Sequence, residues 1–323
     1  RVHMNRYPLR LRPAFKDNLC RGDRLKKDYH KQTDMTPLAE SWELSCHKDG
    51  SSFIENGPYA GMSLADYVKT FPEAAGTRAQ AFPAFPILFK LIDAKDNLSV
   101  QVHPDDAYAL RVEGEYGKTE MWVVLDCQPG AKLVYGFKRP VTKEEFRAHI
   151  QENTLMELVN EVEVHKGDVF FIQSGTLHAI GKGIVIAEIQ QNSNTTYRVY
   201  DYGRKDANGN PRALHIDKAL DVTNLEPYHP EESQYPIREE GGAEVQTLAD
   251  CPYFYTDRIS LSGETQRMVG DGSFEGIFCA EGTLALHAGE TELSLKKGDT
   301  VFLPAGLGAY TLNGQAQCLS MRV

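Results

Sequence analysis

The apolar positions of this chain fall mostly into short runs bounded by glycine turns, the pattern of strands. Val169-Phe170-Phe171-Ile172 follows the turn Lys166-Gly167-Asp168, and Ile184-Val185-Ile186-Ala187-Glu188-Ile189 follows a glycine turn at Gly181 to Gly183. Between them Gly175 breaks the pattern and delivers His178 to the start of an extended segment. Strand, glycine turn, histidine and strand describe a small antiparallel barrel with a ligand at its mouth. Upstream, residues 97–103 alternate. Leu98, Val100 and Val102 turn to one side, and Ser99, Gln101 and His103 to the other. Glu120 heads a further apolar run through Leu125. Residues 86–92 form a buried-strand run interrupted by Lys90, which either snorkels to solvent or faces a polar site. Residues 40–45 alternate and read as an edge strand.

Helical periodicity is confined to a few segments. Residues 143–162 place Phe146, Ile150, Leu155, Leu158 and Val159 at helical spacing, predicting a helical insertion over one end of the barrel, with His149 solvated. Ser63 caps a short helix through residue 70, and Pro104-Asp105-Asp106 opens another whose acidic first turn suits the helix dipole. Residues 228–242 are rich in Pro, Glu and Gly, which places a domain boundary there and divides the chain into 1–235 and 236–323. The second part repeats the first. Residues 297–306 (KGDTVFLPAG) lie on 166–175 (KGDVFFIQSG) without a gap, so a second barrel of the same kind follows. Continuing that alignment puts Ala309 where His178 stands. The second barrel has lost its ligand and reads as structural, with His287 a surface residue.

Length and composition narrow the function. A chain of 323 residues with 41% hydrophobic content can bury a sizeable core. A formal net charge of −10 argues against a nucleic-acid binder yet tolerates a phosphorylated sugar, since binding depends on local charge. The six cysteines are scattered without metal spacing and suggest a reducing compartment. With no signal-peptide or membrane-span pattern, the expected location is the cytoplasm, with Met4 as the natural start. His103, His178 and Glu120, with an amide oxygen from Gln101, make a set suited to a catalytic zinc ion with an open position.

The segments Glu40-Ser41-Trp42-Glu43, Gln101-Val102-His103-Pro104-Asp105-Asp106, Gly117-Lys118-Thr119-Glu120-Met121-Trp122, Gly175-Thr176-Leu177-His178-Ala179 and Thr196-Tyr197-Arg198-Val199-Tyr200-Asp201 resemble the short bacterial type I mannose-6-phosphate isomerases. The likeness runs in order along nearly the whole chain. One departure is Arg21-Gly22, where relatives usually carry a tryptophan and paired glycines. The resemblance implies an all-β double cupin of two jelly-roll barrels with helical insertions, one Zn2+, and interconversion of mannose 6-phosphate with fructose 6-phosphate. It further implies zinc ligands at Gln101, His103, Glu120 and His178, and a catalytic arginine at Arg198.

Isomerisation through an enediol needs a base and positive charge near the developing oxyanion. Arg198 could supply that charge, or form a salt bridge to Asp201 or Glu188. Lys118, two residues before Glu120 on the same strand face, is a further candidate. Glu188 on an apolar face is either the base, with a raised pKa, or the partner of a lysine or arginine across the barrel. Asn194 stands where larger relatives carry an aspartate. Two other readings remain open: a non-haem iron cupin dioxygenase, since two histidines and a carboxylate also suit iron, and a non-catalytic sugar-binding cupin.

Overall fold

In a computed structural model of the chain, which describes residues 3–17, 22–229 and 234–323, all strand pairing is antiparallel. Arg21 lies outside the described residues. The first barrel is two sheets packed face to face. One has five strands in the order Val159–Glu163, Lys132–Phe137, His178–Ala179, Val100–Val102, Tyr197–Tyr200. The other has six, in the order Val169–Ile172, Glu120–Cys127, Ile184–Gln191, Ile87–Ala94, Glu40–Leu44, Ala14–Lys16. Glu40–Leu44 is therefore not an edge strand: Ala14–Lys16 flanks it.

Alternation along these strands feeds three separate cores. Ile184, Ile186 and Trp122 point inward with Leu133, Tyr135 and Ile180 of the facing sheet. Val185, Ala187 and Ile189 point the other way and pack on Phe274, Phe278, Phe302 and Met321 of the second barrel. Strand Ile184–Gln191 is thus buried on both faces, which is why residues 184–189 are apolar on either side of the sheet except for Glu188. The outer face of the five-stranded sheet, through Val102, Ala179 and Val199, is covered by Phe146 and Ile150 and by Ala219 and Leu220 of two helices.

The helical insertion is shorter than its periodicity predicts. The helix Lys143–Gln151 opens on a capping box between Thr142 and Glu145 and stops before Asn153, which takes a φ of 62°. Val159–Glu163 then pairs with Lys132–Phe137 as a strand. Of the apolar residues at helical spacing, Leu155 lies in a single 3-10 turn, Leu155–Glu157, that Leu158 closes, and Val159 enters the strand, whose pairing satisfies the backbone from there on. The helices Leu64–Thr70 and Asp106–Val112 form where expected, capped by Ser63 and Asp105.

The repeat recurs in three dimensions. Gly167 and Gly298 both take positive φ, 92° and 99°, which favours glycine at this turn. Asp168 and Asp299 each accept, through Oδ2, the N–H three residues back, at 2.8 and 2.9 Å. The second barrel is a nine-stranded sheet that also recruits Leu9–Arg12 and Phe53–Ile54 from the start of the chain. Its hold on the first barrel is partly ionic. Buried Glu43 accepts from Thr300 Oγ1 at 2.8 Å across the interface and pairs at 2.7 Å with Lys31, which in turn donates to the Gly298 carbonyl at 2.6 Å, and the Arg258 guanidinium donates twice to the Gly167 carbonyl. Lys166 and Lys297, equivalent in the repeat, both reach Glu281. Among the described residues no helix is long and apolar enough to cross a membrane.

Removing one partner of a buried ion pair strands the other. Glu43→Ala is expected to cost about 3–5 kcal/mol of unfolding free energy in denaturant titration, whereas Lys166→Ala at the exposed pair costs about 1 kcal/mol or less. Equal losses for the two variants would contradict this account of the interface.

Candidate metal centre and cavity

The inner faces of the two sheets present opposed rows of polar side chains. On the five-stranded sheet His178 pairs with Gln101, and Gln101 with Arg198, so their side chains share a face. On the six-stranded sheet the lateral order is Trp122, Glu188, Lys90, Trp42, with Glu120 a step along the first strand. A cavity of about 320 Å³ lies between the rows, lined among others by Lys90, Gln101, His103, Lys118, Glu188 and Arg198.

At one end of this cavity the ligating atoms of His103, Glu120 and His178 fall within 4.8 Å of one another, all three residues buried. The His103 Nδ1 faces the Thr195 carbonyl at 3.0 Å and the His178 Nδ1 faces the Thr176 carbonyl at 2.8 Å. A carbonyl can only accept, so each Nδ1 carries the proton and each Nε2 of the neutral ring presents a lone pair. Those two nitrogens lie 3.1 Å apart, and 3.7 and 3.1 Å from Glu120 Oε1. Neither oxygen of the buried Glu120 carboxylate finds a hydrogen-bond donor. Three electron-pair donors aimed at one another repel unless a cation sits among them, so the donor set fits a metal ion. Burial and the Lys118 charge push the His103 pKa down to about 3, which keeps it neutral for ligation.

Around this group lies a buried ionic set. Glu188 Oε1 accepts from Trp122 Nε1 at 2.8 Å, and its Oε2 lies 3.4 Å from Lys90 Nζ. Burial, reinforced by the Glu120 charge, pushes the Glu188 carboxyl up to about 7. Both readings of Glu188 thus have support: it faces the cavity and it has a lysine beside it. Lys90 faces the site and does not snorkel; burial works against its charge, yet Glu40 and Glu188 raise its pKa. Lys118 is buried, and burial with the Lys90 charge lowers its pKa.

Arg198 and Thr196 line the cavity, while Tyr197 and Val199, alternating with them along the chain, join the helical layer. A register shift between Arg198 and Tyr200 turns Tyr200 away to the margin of that layer. Arg198 has no salt bridge among the described residues. Its Nη1 donates to the Ala213 carbonyl, its buried Nε has no partner, and Asp201 is taken by Arg204 and Arg212. Arg212 and Glu40 also line the cavity, and sequence reasoning missed both. Arg212 comes from a loop with no periodicity to place it. Glu40 shares a strand face with Trp42, but its approach to Lys90 depends on strand register.

The second barrel holds a counterpart. Leu303 pairs with Glu275 as Ile172 pairs with Glu120, so Glu275 stands at the Glu120 position. In place of histidines it meets the Arg267 guanidinium, 3.4 Å away, and the Tyr310 hydroxyl.

A β-sandwich with a buried His-Glu-His group opening on a polar cavity defines a metal-binding cupin. Comparisons carry this further. A family model described as the phosphomannose isomerase type I catalytic domain matches residues 21–125, and one described as the mannose-6-phosphate isomerase cupin domain matches residues 244–323. The chain is 39% identical over 321 residues to the mannose-6-phosphate isomerase ManA of Bacillus subtilis, covering 98% of this chain and 99% of that protein. It is 36% identical to the mannose-6-phosphate isomerase of Streptococcus mutans, covering 97% of each. The crystal structure of the mannose 6-phosphate isomerase from Bacillus subtilis superposes with a TM-score of 0.91 at 34% identity, over 98% and 99% of the two chains. A mannose 6-phosphate isomerase bound with zinc and yttrium shares the fold, with a TM-score of 0.78 at 19% identity over 97% and 98%. The chain belongs to the type I phosphomannose isomerases.

If Glu120 offsets a bound cation, Glu120→Gln keeps its shape and loses the charge. Metal analysis should return one ion per unmodified chain and markedly less for Glu120→Gln, with activity falling in step. Full occupancy and unchanged turnover in the variant would remove Glu120 from the ligand set.

Proposed function

We propose that this chain interconverts mannose 6-phosphate and fructose 6-phosphate, using one zinc ion held by Gln101, His103, Glu120 and His178. The observation that carries the reading is the opening of a metal-ligand group, and of an arginine without a salt bridge among the described residues, into one cavity. Zinc bound there would polarise the sugar oxygens and make the neighbouring carbon acidic.

The protein groups supply the rest. Glu188, which lines the cavity, takes the proton from one of the two neighbouring carbons and returns it to the other. Its raised pKa suits that exchange near neutrality, and Lys90 beside it stabilises the ionised form. Arg198, always charged, stabilises the enediolate oxygen. Lys118 holds the substrate's polar groups from the metal side. The charges also favour a sugar phosphate. Glu40, Glu120 and Glu188 are balanced by Lys90, Lys118 and Arg198, and Arg212 is paired with Asp201, so a divalent ion would leave the cavity positive within a chain of net charge −10. Asn194 lines the cavity, but an amide cannot act as the base. We further propose residues 1–235 as the catalytic domain and 236–323 as its structural partner.

The deciding assay is conversion of mannose 6-phosphate by purified protein, before chelation, after chelation and after return of Zn2+. Turnover that disappears and returns supports the reading, while turnover indifferent to chelation refutes the metal's part. Oxygen consumption with bound iron would instead favour a dioxygenase.

Arg198 is tested separately. A group that meets charge present only during reaction should, on removal, lower kcat by about a hundredfold or more. Arg198→Ala should therefore lose kcat with Tm and zinc content little changed. A stable, zinc-replete Arg198→Ala enzyme with ordinary kcat would end the catalytic assignment.

A further inference from the structure

The group that orients His103 is itself held, and by side chains that do not reach the cavity. Thr195, whose carbonyl accepts the His103 Nδ1 proton, lies in the connection between strands Ile184–Gln191 and Tyr197–Tyr200. The turn that orients His178 is fixed by main-chain bonds, from Thr176 N–H to the Gln173 carbonyl and from Gly175 N–H to the His103 carbonyl. At 194–195 side chains take over that task. Glu115 Oε1 accepts from the Asn194 N–H at 3.1 Å, and Glu115 Oε2 accepts from the Thr195 hydroxyl at 2.8 Å. Ser193 Oγ accepts the Thr195 N–H at 3.1 Å.

Glu115 is oriented in turn by His47. The Asp49 N–H donates to His47 Nδ1 at 3.1 Å, so the neutral ring carries its proton on Nε2 and donates it to Glu115 Oε1 at 2.5 Å. The buried His47 ring stands edge-on to Trp42, with centroids 5.7 Å apart. Burial acts to raise the Glu115 carboxyl, but the hydrogen bonds from His47, Thr195 and Asn194 outweigh it and bring the pKa down to about 2.

We infer that Glu115, set by His47, is a positioning residue for the metal centre. It fixes Thr195 so that the Thr195 carbonyl holds the His103 ring, and through Asn194 it sets one wall of the cavity. The inference rests on the metal-binding reading above. Partners outside the ligand shell commonly govern metal affinity about ten- to a hundredfold, because they fix the tautomer and direction of the ligand.

The test measures Zn2+ affinity of the full chain by chelator competition, together with the melting temperature of the same preparations stripped of metal. Glu115→Ala should weaken Zn2+ binding by about ten- to a hundredfold, with a metal-free melting temperature close to that of the unmodified chain. Glu115→Gln, whose single carbonyl oxygen can still accept from the Asn194 N–H while its amide group can donate to the Thr195 hydroxyl, should recover part of the loss. Unchanged affinity in the folded Glu115→Ala protein, with or without a fall in melting temperature, would overturn the positioning role. Should Glu115→Ala not fold, Thr195→Val removes only the hydroxyl contact. A severalfold loss of affinity there supports the inference, and none overturns it. An unmodified chain that binds no Zn2+ at all would sink the metal reading, an outcome separate from failure of the Glu115 contact.

Discussion

The structure turns on a conflict between three electron-pair donors buried between two sheets. Two histidine nitrogens and a carboxylate are brought together by strands whose other faces are committed to apolar cores. None of the three can retreat without unpacking a sheet. The cost of that arrangement without a cation is what makes the fold a metal site, and the same rigidity keeps the remaining ligand geometry fixed. Main-chain carbonyls at Thr176 and Thr195 decide which nitrogen of each ring faces inward, so backbone position and metal chemistry are one problem here.

That constraint explains the layering. The six-stranded sheet gives part of its inner face to Glu120, Glu188 and Lys90, so beyond the inward cluster of Ile184, Ile186 and Trp122 its stabilising apolar contacts come from the opposite face. The second barrel provides them, through Phe278, Phe302 and Met321 against Leu91, Ala187 and Ile189. The helices do the same for the five-stranded sheet. Each sheet of the first barrel is thus backed by a separate apolar layer, which offsets the burial of charged groups between them.

Much of this was legible in the sequence because local pattern fixes which way a strand's side chains point. Alternation at 97–103 assigned Gln101 and His103 to one face, and the Lys-Gly-Asp turns exposed the repeated barrel. What pattern could not supply was register. That Lys90 lies between Glu188 and Trp42, or that Glu40 reaches the cavity, follows from lateral pairing between segments far apart in the chain. The same limit hid Arg212, which arrives on an irregular loop. Residues 155–162 misled for the converse reason: their local spacing suits one continuous helix, yet the chain makes only a 3-10 turn at Leu155–Glu157 and then pairs Val159–Glu163 with strand Lys132–Phe137.

The second barrel solves the conflict by other means. At the position of Glu120 it keeps an acid, Glu275, and sets against it the Arg267 guanidinium and the Tyr310 hydroxyl. A side-chain cation is tethered by its own covalent bonds, so it can neither be lost to a competing chelator nor exchanged for a different ion. One chain therefore carries the same architectural charge balance in a removable and a permanent form. The permanent copy is a scaffold whose integrity does not depend on metal supply, against which the removable site can be emptied and refilled.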